Sequence, residues 1–166
     1  MRKIDPNALD KNVFSAIGGQ WMLITAGTAS QCNTMTASWG GLGVIWGAPA
    51  ATCYIRPQRY TKEFVDREDY FTLSFFGEEH RKALQLCGSK SGREVDKVKE
   101  CGFTVQAAEC GAPYFQEAEL VLVCRKRFAQ PMDPDNMPQE IKTKWYPEED
   151  YHTLYIGEIV EVLVKD

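Results

Sequence analysis

Histidine is scarce in this sequence, and closely spaced cysteines are missing. The chain of 166 residues contains two histidines, His80 and His152. Its six cysteines, at positions 32, 53, 87, 101, 110 and 124, include no Cys-x-x-Cys pair. Zinc sites and redox dithiols usually show such tight spacing, so the pattern predicts no metal site. Free, mostly buried thiols in a reducing cytoplasm are the simplest interpretation.

Long apolar runs and nucleotide-binding loops are also missing. No run of about 18 apolar residues occurs, so no transmembrane helix is expected. The polar start, MRKIDPNALDKN, lacks the apolar core of a secretory signal. Neither Gly-x4-Gly-Lys-Ser/Thr nor Gly-x-Gly-x-x-Gly is present. The net charge of −4 argues against non-specific nucleic-acid binding but not against a local basic pocket. We therefore expect a cytoplasmic protein without a nucleic-acid or membrane partner.

The length and the order of apolar segments predict one mainly β domain over residues 1–166. Hydrophobic residues make up 44% and charged residues 25% of the chain, which is ordinary for a globular protein. Because strands dominate and the helices are short, the pattern favours an antiparallel barrel over a βαβ sheet. The predicted strands are 21–26, 37–46, 51–56, 70–76, 119–128 and 152–164, with short helices at 78–86 and 94–100.

Several local features refine this prediction. Residues 70–76 alternate apolar and polar side chains, which predicts a strand buried on one face only. Gly157 interrupts the last strand and indicates a bulge or barrel corner. The prolines within 131–138 predict a loop, and Gly47 to Pro49 predict a break between two strands. Thr61 is placed to cap a short helix.

A polar segment precedes a glycine-rich strand at residues 33–46. Small polar side chains and free backbone groups in a turn at 33–38 suit the edge of a planar ring. Trp39 and Trp46 are candidates for stacking on an aromatic ligand, and both could equally be core or dimer-interface residues. The glycines between them could let a ligand approach the backbone. The candidate contacts in the polar segment are Asn33, Thr34, Met35, Thr36, Ser38 and Trp39.

Two arginines follow where a strand gives way to a short helix. Arg56 and Arg59 offer planar guanidinium groups that match phosphate oxygens. Thr61 lies at the start of the helix, where free amides and the helix dipole favour an anion. The alternative is a pair of surface salt bridges with Glu63 and Asp66. Together with the polar segment, this site predicts a planar, phosphorylated ligand, and flavin mononucleotide (FMN) is the candidate.

The order of these motifs resembles the flavin reductase-like family, which includes flavoredoxins. The motifs are N-x-M-T-x-S-W at 33–39, I-R-P-x-R-x-T-x-E at 55–63, the apolar strand at 70–76, C-G-S-K-S-G-R-E-V-D-K at 87–97, and H-T-L-Y-I-G-E at 152–158. The resemblance covers roughly residues 12–164. It implies an antiparallel, Greek-key-like split β-barrel with short flanking helices, and a homodimer that binds FMN non-covalently near the subunit interface.

The resemblance also implies roles for two later segments. The loop after Cys87 would lie close to the flavin phosphate and ribityl chain, although a solvated loop is an open alternative. Its candidate contacts are Ser89, Lys90, Ser91 and Arg93. His152, before the final strand, would face the flavin or the nicotinamide, and it could donate a proton or only shape the pocket.

The implied function is flavin-dependent electron transfer. NAD(P)H or a partner redox protein would reduce the FMN, and any nicotinamide would bind transiently over the flavin face. An NAD(P)H-dependent flavin reductase is therefore expected. The alternatives are a flavoredoxin-like electron carrier without nicotinamide activity and a non-enzymatic flavin-binding barrel.

Overall fold

The chain forms ten strands and four α-helices in the computed structural model, which describes residues 1–165. The strands are Arg2–Ile4 (β1), Met22–Gly27 (β2), Cys32–Ala37 (β3), Gly40–Ile45 (β4), Ala48–Ile55 (β5), Tyr70–Phe75 (β6), Val105–Ala107 (β7), Pro113–Phe115 (β8), Leu120–Pro131 (β9) and Thr153–Val164 (β10). The helices are Tyr60–Arg67 (α1), Arg81–Ser89 (α2), Lys97–Cys101 (α3) and Gln139–Trp145 (α4). A π-helix covers Ser15–Gln20, and 3-10 turns cover Pro6–Ala8, Glu78–His80 and Pro134–Asn136.

The main sheet is antiparallel and open. Its strands follow the order β3-β2-β6-β9-β10-β5-β4, and β1 pairs with β10 beside this path. β7 and β8 form a separate hairpin. The two end strands, β3 and β4, do not pair with each other, so the barrel is split rather than closed. The predicted mainly β split barrel with short helices is therefore confirmed.

Apolar side chains are buried on both faces of the sheet. One cluster fills the barrel and includes Ile24, Leu73 and Tyr155. A second cluster lies under α2 and the β7–β8 hairpin. The expectation that residues 70–76 are buried on one face only is therefore wrong. Thr72 on the second face is fully buried, and its hydroxyl donates to the Pro113 carbonyl of β8 at 2.7 Å.

Gly157 lies at a bulge, as predicted. The register of β10 against β9 shifts between Ile156 and Gly157. A Cβ atom at Gly157 would lie 2.6 Å from the Cys124 Cβ and 2.7 Å from the Phe71 ring. Glycine is needed here because Cys124 of β9 and the Phe71 ring of β6 leave no room for a side chain.

The predicted strand 37–46 is two segments. Chain direction changes at Ser38 and Trp39, and β4 then forms a hairpin with β5. Trp46 (φ 53°) and Gly47 (φ 73°) make the two-residue turn, with the paired positive φ values that such hairpins require. The predicted break between two strands is therefore present at Gly47, but it does not extend to Pro49, which pairs with Val44 inside β5.

Other local predictions also changed. Residues 33–37 form the edge strand β3 rather than a polar turn. α4 was not predicted, and α2 continues through Gly88 and Ser89 into the loop that was expected after Cys87. The short helix predicted at 94–100 is present as α3, which begins later, at Lys97, and ends at Gly102, a left-handed residue with φ 65°. None of the helices within residues 1–165 is long and apolar enough to cross a bilayer.

Candidate functional site

A cavity of about 320 Å³ opens where β3 and β5 end and β10 begins. It gathers side chains from three of the segments singled out in the sequence, although they are far apart along the chain. α4 contributes one further wall. The lining residues are Met35, Thr36, Ala37, Ser38, Trp39, Tyr54, Arg56, Arg59, Trp145 and His152.

A second cavity of about 430 Å³ adjoins the first and shares Thr36 and Ser38 with it. It reaches the end of α2 at Gly88 and Ser89. The Thr36 hydroxyl donates to the Leu84 carbonyl of α2 at 2.5 Å, which fixes the wall between strand and helix. The two cavities together form a cleft with an aromatic end at Trp39 and an end that approaches the carboxyl terminus of α2.

Strand β3 supplies free backbone groups to this cleft. It pairs with β2 on one side only, so the other edge of residues 33–37 takes no part in a strand ladder. Unpaired N–H and C=O groups along an edge strand are available to a ligand. Thr34 does not face the cleft, because its buried hydroxyl contacts the Thr25 hydroxyl at 2.8 Å and the Ile24 carbonyl at 3.2 Å.

Arg59 connects the start of α1 to the end of α2. Its Nη1 donates to the Gly88 carbonyl at 2.7 Å, and its Nη2 donates to the Cys87 carbonyl at 3.3 Å. Burial lowers the pKa of the guanidinium. Arg59 itself occupies the cap position of α1, so the expectation that Thr61 caps this helix is wrong. The Thr61 hydroxyl instead accepts from the Asn33 side-chain amide at 2.8 Å.

Lys97 is a cation that the sequence interpretation missed. It is 4% exposed, and its Nζ donates to the Thr34 carbonyl at 2.8 Å and to the Cys87 carbonyl at 2.9 Å. Burial, with the charge of Arg59 nearby, lowers the pKa of Lys97 to about 8. Within residues 1–165, neither cation forms an ion pair with a carboxylate. The resembling motif at 87–97 ends at Lys97, which is the signal that could have identified it.

Arg56 lines the cleft, but its guanidinium is engaged by the loop before β10. Its Nη1 forms an ion pair with Asp150 at 2.5 Å, and its Nη2 donates to the Trp145 carbonyl at 2.9 Å. The guanidinium also lies over the Tyr146 ring, 5.0 Å from its centroid. Arg56 therefore holds the segment that carries Trp145 and His152 against β5.

His152 is held by two aromatic neighbours. The Tyr146 hydroxyl lies 2.8 Å from Nδ1, and the Trp39 ring centroid lies 5.0 Å from the imidazole. Burial, reinforced by the positive charge of Arg56, lowers the pKa of His152 to about 4. The imidazole is therefore neutral at pH 7. The Tyr146 hydroxyl also lies 3.8 Å from the Met132 sulfur, which is a weak acceptor. Donation from this hydroxyl to Nδ1 is therefore favoured, and it would place the imidazole proton on Nε2.

The loop after α2 divides between the cleft and another surface. Ser89 lines the cleft, whereas Arg93 forms an ion pair with Glu63 and lies over the Tyr60 ring at 4.4 Å. Lys90 and Ser91 line neither cavity of the cleft. Gly92 lies against Asn33, and a Cβ atom there would overlap the Asn33 amide. Trp46, at the tip of the β4–β5 hairpin, is 65% exposed rather than part of the core.

The described residues show no group of three or more His, Cys, Asp or Glu side chains that could hold a metal ion.

An open antiparallel barrel with a cleft that is aromatic at one end and cationic near the other places the chain in the split-barrel class. Residues 14–166 match the family model described as a flavin reductase like domain. The chain therefore belongs to the flavin reductase-like family. No curated protein shows significant sequence similarity to it.

Solved structures share this fold. Flavoredoxin from Methanosarcina acetivorans superposes with a TM-score of 0.71 at 22% identity, over 100% of this chain and 76% of that one. The FMN-binding protein from Thermus thermophilus with bound 1-cyclohex-2-enone gives 0.70 at 20% identity, over 99% and 80%. The NADH:FAD oxidoreductase from Streptomyces globisporus C-1027, with NAD and FAD fragments, gives 0.66 at 18%, over 88% and 74%. Identities this low show similarity of fold alone.

Proposed function

We propose that this protein binds FMN non-covalently and catalyses NAD(P)H-dependent reduction of flavin. Family membership supports flavin binding. The observation that carries the proposal is the meeting of residues 35–39, Arg59 and His152 in one cleft. The Thermus relative is an FMN-binding protein, and the Streptomyces relative is an NADH:FAD oxidoreductase captured with NAD and FAD fragments.

The residues present fit the chemistry of FMN. The free edge of β3 and the Ser38 hydroxyl offer partners for the polar rim of the ring, and Trp39 offers an aromatic face. Arg59 would hold the phosphate, with Ser89 as a further donor. Lys97 adds positive charge behind Arg59, because both donate to the Cys87 carbonyl. Lys97 is buried and Arg59 is partly buried, and neither has a carboxylate partner among residues 1–165. A bound phosphate would neutralise this pair of cations.

Different roles follow for the remaining sequence candidates. Arg56 and Thr61 would support the site indirectly, through Asp150 and Asn33. Thr34 would act through its backbone carbonyl, which binds Lys97. Arg93 is engaged with Glu63. Lys90 and Ser91 remain candidates whose side chains would have to turn toward the cleft.

When bound, the flavin supplies the hydride and electron chemistry. The protein would position the flavin and supply hydrogen-bond donors to it. His152 is neutral, so it would act through a hydrogen bond from Nε2–H rather than as an imidazolium acid. Trp39 and Trp145, whose ring centroids are 5.1 Å apart, shield this side of the cleft from water.

We also propose that the protein is a homodimer. Phe14 is 89% exposed and lines an apolar cavity of about 730 Å³. Val44 is 78% exposed and lies on β4, the strand that supplies Gly40, Gly41 and Leu42 to that cavity. That cavity shares Ser38, Trp39, Tyr54 and Trp145 with the candidate site. A second copy packed over this apolar surface would bury it and close the aromatic end of the cleft. Light scattering of the protein as it elutes from a size-exclusion column should give twice the mass of the chain.

The function is tested by absorbance and steady-state kinetics. The protein loaded with FMN should show flavin bands shifted from those of free FMN, and it should oxidise NADH or NADPH when free FMN is supplied. Flavin binding without nicotinamide oxidation would favour the flavoredoxin-like carrier. A protein that gains no flavin absorbance after incubation with FMN and gel filtration would contradict flavin binding altogether.

A further inference from the structure

Two cysteines outside the cleft lie in contact. Cys87 in α2 and Cys101 at the end of α3 have Sγ atoms 3.7 Å apart. Cys87 is fully buried, and Cys101 is partly exposed. Neither sulfur is used by the site proposed above. They are separated by 13 intervening residues, so proximity arises from the packing of α3 against α2.

We propose that Cys87 and Cys101 are a redox-sensitive thiol pair that hydrogen peroxide converts to a reversible disulfide. Cys101 reacts first: its sulfur attacks one peroxide oxygen, the O–O bond breaks, and sulfenic acid and water form. The Cys87 sulfur then attacks the sulfenic sulfur, and the S–O bond breaks to release a second water. Overall, two thiols and one peroxide give one disulfide and two waters, with the peroxide reduced by two electrons.

The positions and solvent accessibility of the two cysteines assign this order of reaction. A disulfide bond is about 2.05 Å long, so the sulfurs need to approach by roughly 1.6 Å, which rotation of the two side chains can supply. Burial raises the pKa of Cys87 to about 12, so Cys87 suits the second, intramolecular step rather than attack on a dissolved oxidant. Cys101 is partly exposed and therefore reachable from solvent. Burial raises the pKa of Cys101, whereas its contact with Cys87 and the Lys97 ammonium oppose that rise.

The pair is positioned to affect the cleft. The Cys87 carbonyl accepts from both Arg59 and Lys97, and the next residue, Gly88, lines the cleft wall. A disulfide would close the loop 88–100 into a ring. Because cross-linking restricts the unfolded chain, it should raise the melting temperature, by roughly 5 °C or more for a loop of this length.

The test uses the Cys110→Ser variant, which removes the exposed cysteine and its intermolecular disulfides. The folded variant is treated with hydrogen peroxide, alkylated after unfolding, digested and analysed by mass spectrometry. The expected product is a Cys87–Cys101 cross-linked peptide that disappears on treatment with dithiothreitol, together with a higher melting temperature before reduction.

Two variants in the same background complete the experiment. Adding Cys101→Ser should abolish both the cross-linked peptide and the rise in melting temperature. Adding Cys32→Ser, at another partly exposed cysteine, should leave both unchanged. Peroxide treatment that leaves Cys87 alkylatable, that over-oxidises Cys101 to the sulfinic acid, or that joins Cys101 to Cys32 would overturn the proposal. None of these outcomes depends on flavin binding.

Discussion

The Tyr146 hydroxyl and Nδ1 of His152 are 2.8 Å apart, and both side chains are buried. Tyr146 follows α4, and His152 precedes β10, so this hydrogen bond spans the loop that Arg56 ties to β5. The bond fixes the imidazole orientation and favours the tautomer with a proton on Nε2. A residue that sequence patterns did not identify thus determines what the candidate catalytic histidine can donate.

Tyr146→Phe should change the state of His152 without removing it. Nitrogen-15 NMR of the imidazole should show the Nε2–H tautomer in the wild type and a mixture of tautomers in the variant. Turnover should fall while FMN affinity changes little, since Tyr146 does not line the cavity proposed to hold FMN. Tyr151→Phe is the matched control, because its ring packs on Tyr146 at 4.9 Å without contacting Nδ1. An unchanged tautomer in Tyr146→Phe would contradict this role.

The low pKa of His152 makes its contribution to stability pH-dependent. The folded pKa is about 4 against a usual value of 6.5, so the unfolded state binds more protons between these values. Stability from this group is therefore complete above about pH 6.5 and is lost as the pH falls toward 4. Urea unfolding of the wild type and of His152→Gln should show a difference in unfolding free energy that shrinks over this range. A difference independent of pH would show that His152 titrates normally.

Arg59→Ala should weaken FMN binding more than riboflavin binding. A charge-assisted hydrogen bond contributes about 1.5–3 kcal/mol, so a loss of about tenfold or more is expected for FMN alone. Arg59→Lys should recover only part of it, because an ammonium lacks the guanidinium fork. The melting temperature should also fall, since the Gly88 carbonyl loses its donor.

Arg93→Ala is the control for this comparison, because Arg93 is paired with Glu63 outside the cleft. Titration of each variant with FMN and riboflavin, followed by flavin fluorescence, separates phosphate contacts from ring contacts. If Arg93→Ala weakens FMN binding and Arg59→Ala does not, the phosphate site lies in the loop 89–93.

Gly157→Ala should destabilise the barrel. The added Cβ would lie 2.6 Å from the Cys124 Cβ and 2.7 Å from the Phe71 ring, and both neighbours are fully buried. Overpacking of this kind costs about 1–3 kcal/mol. Gly43→Ala in β4 has no atom within 4 Å of the new Cβ and should be nearly neutral. Chemical denaturation of the two variants provides the comparison, and equal stabilities would show that the bulge can relax.

Sequence patterns were informative where the signal is local. The apolar runs at 22–26 in β2 and 120–124 in β9 specify strands in any fold that buries them. Gly157 and Gly102 mark a bulge and a helix end. The two arginines and the polar segment 33–38 also identified the region of the chain that meets in the cleft.

Only the tertiary structure determined which residues of the chain contact one another. Arg59 donates to the carbonyls of Cys87 and Gly88, which lie 28 and 29 positions away along the chain. Lys97 donates to the Thr34 carbonyl, 63 positions away, so local sequence spacing does not reveal these contacts. The burial of both faces of β6 depends on the distant hairpin β7–β8. Residues 33–37 form a strand because β2 supplies a hydrogen-bonding edge, which small polar side chains do not predict. Local sequence sets backbone preference, whereas burial and charge pairing depend on which distant segments pack together.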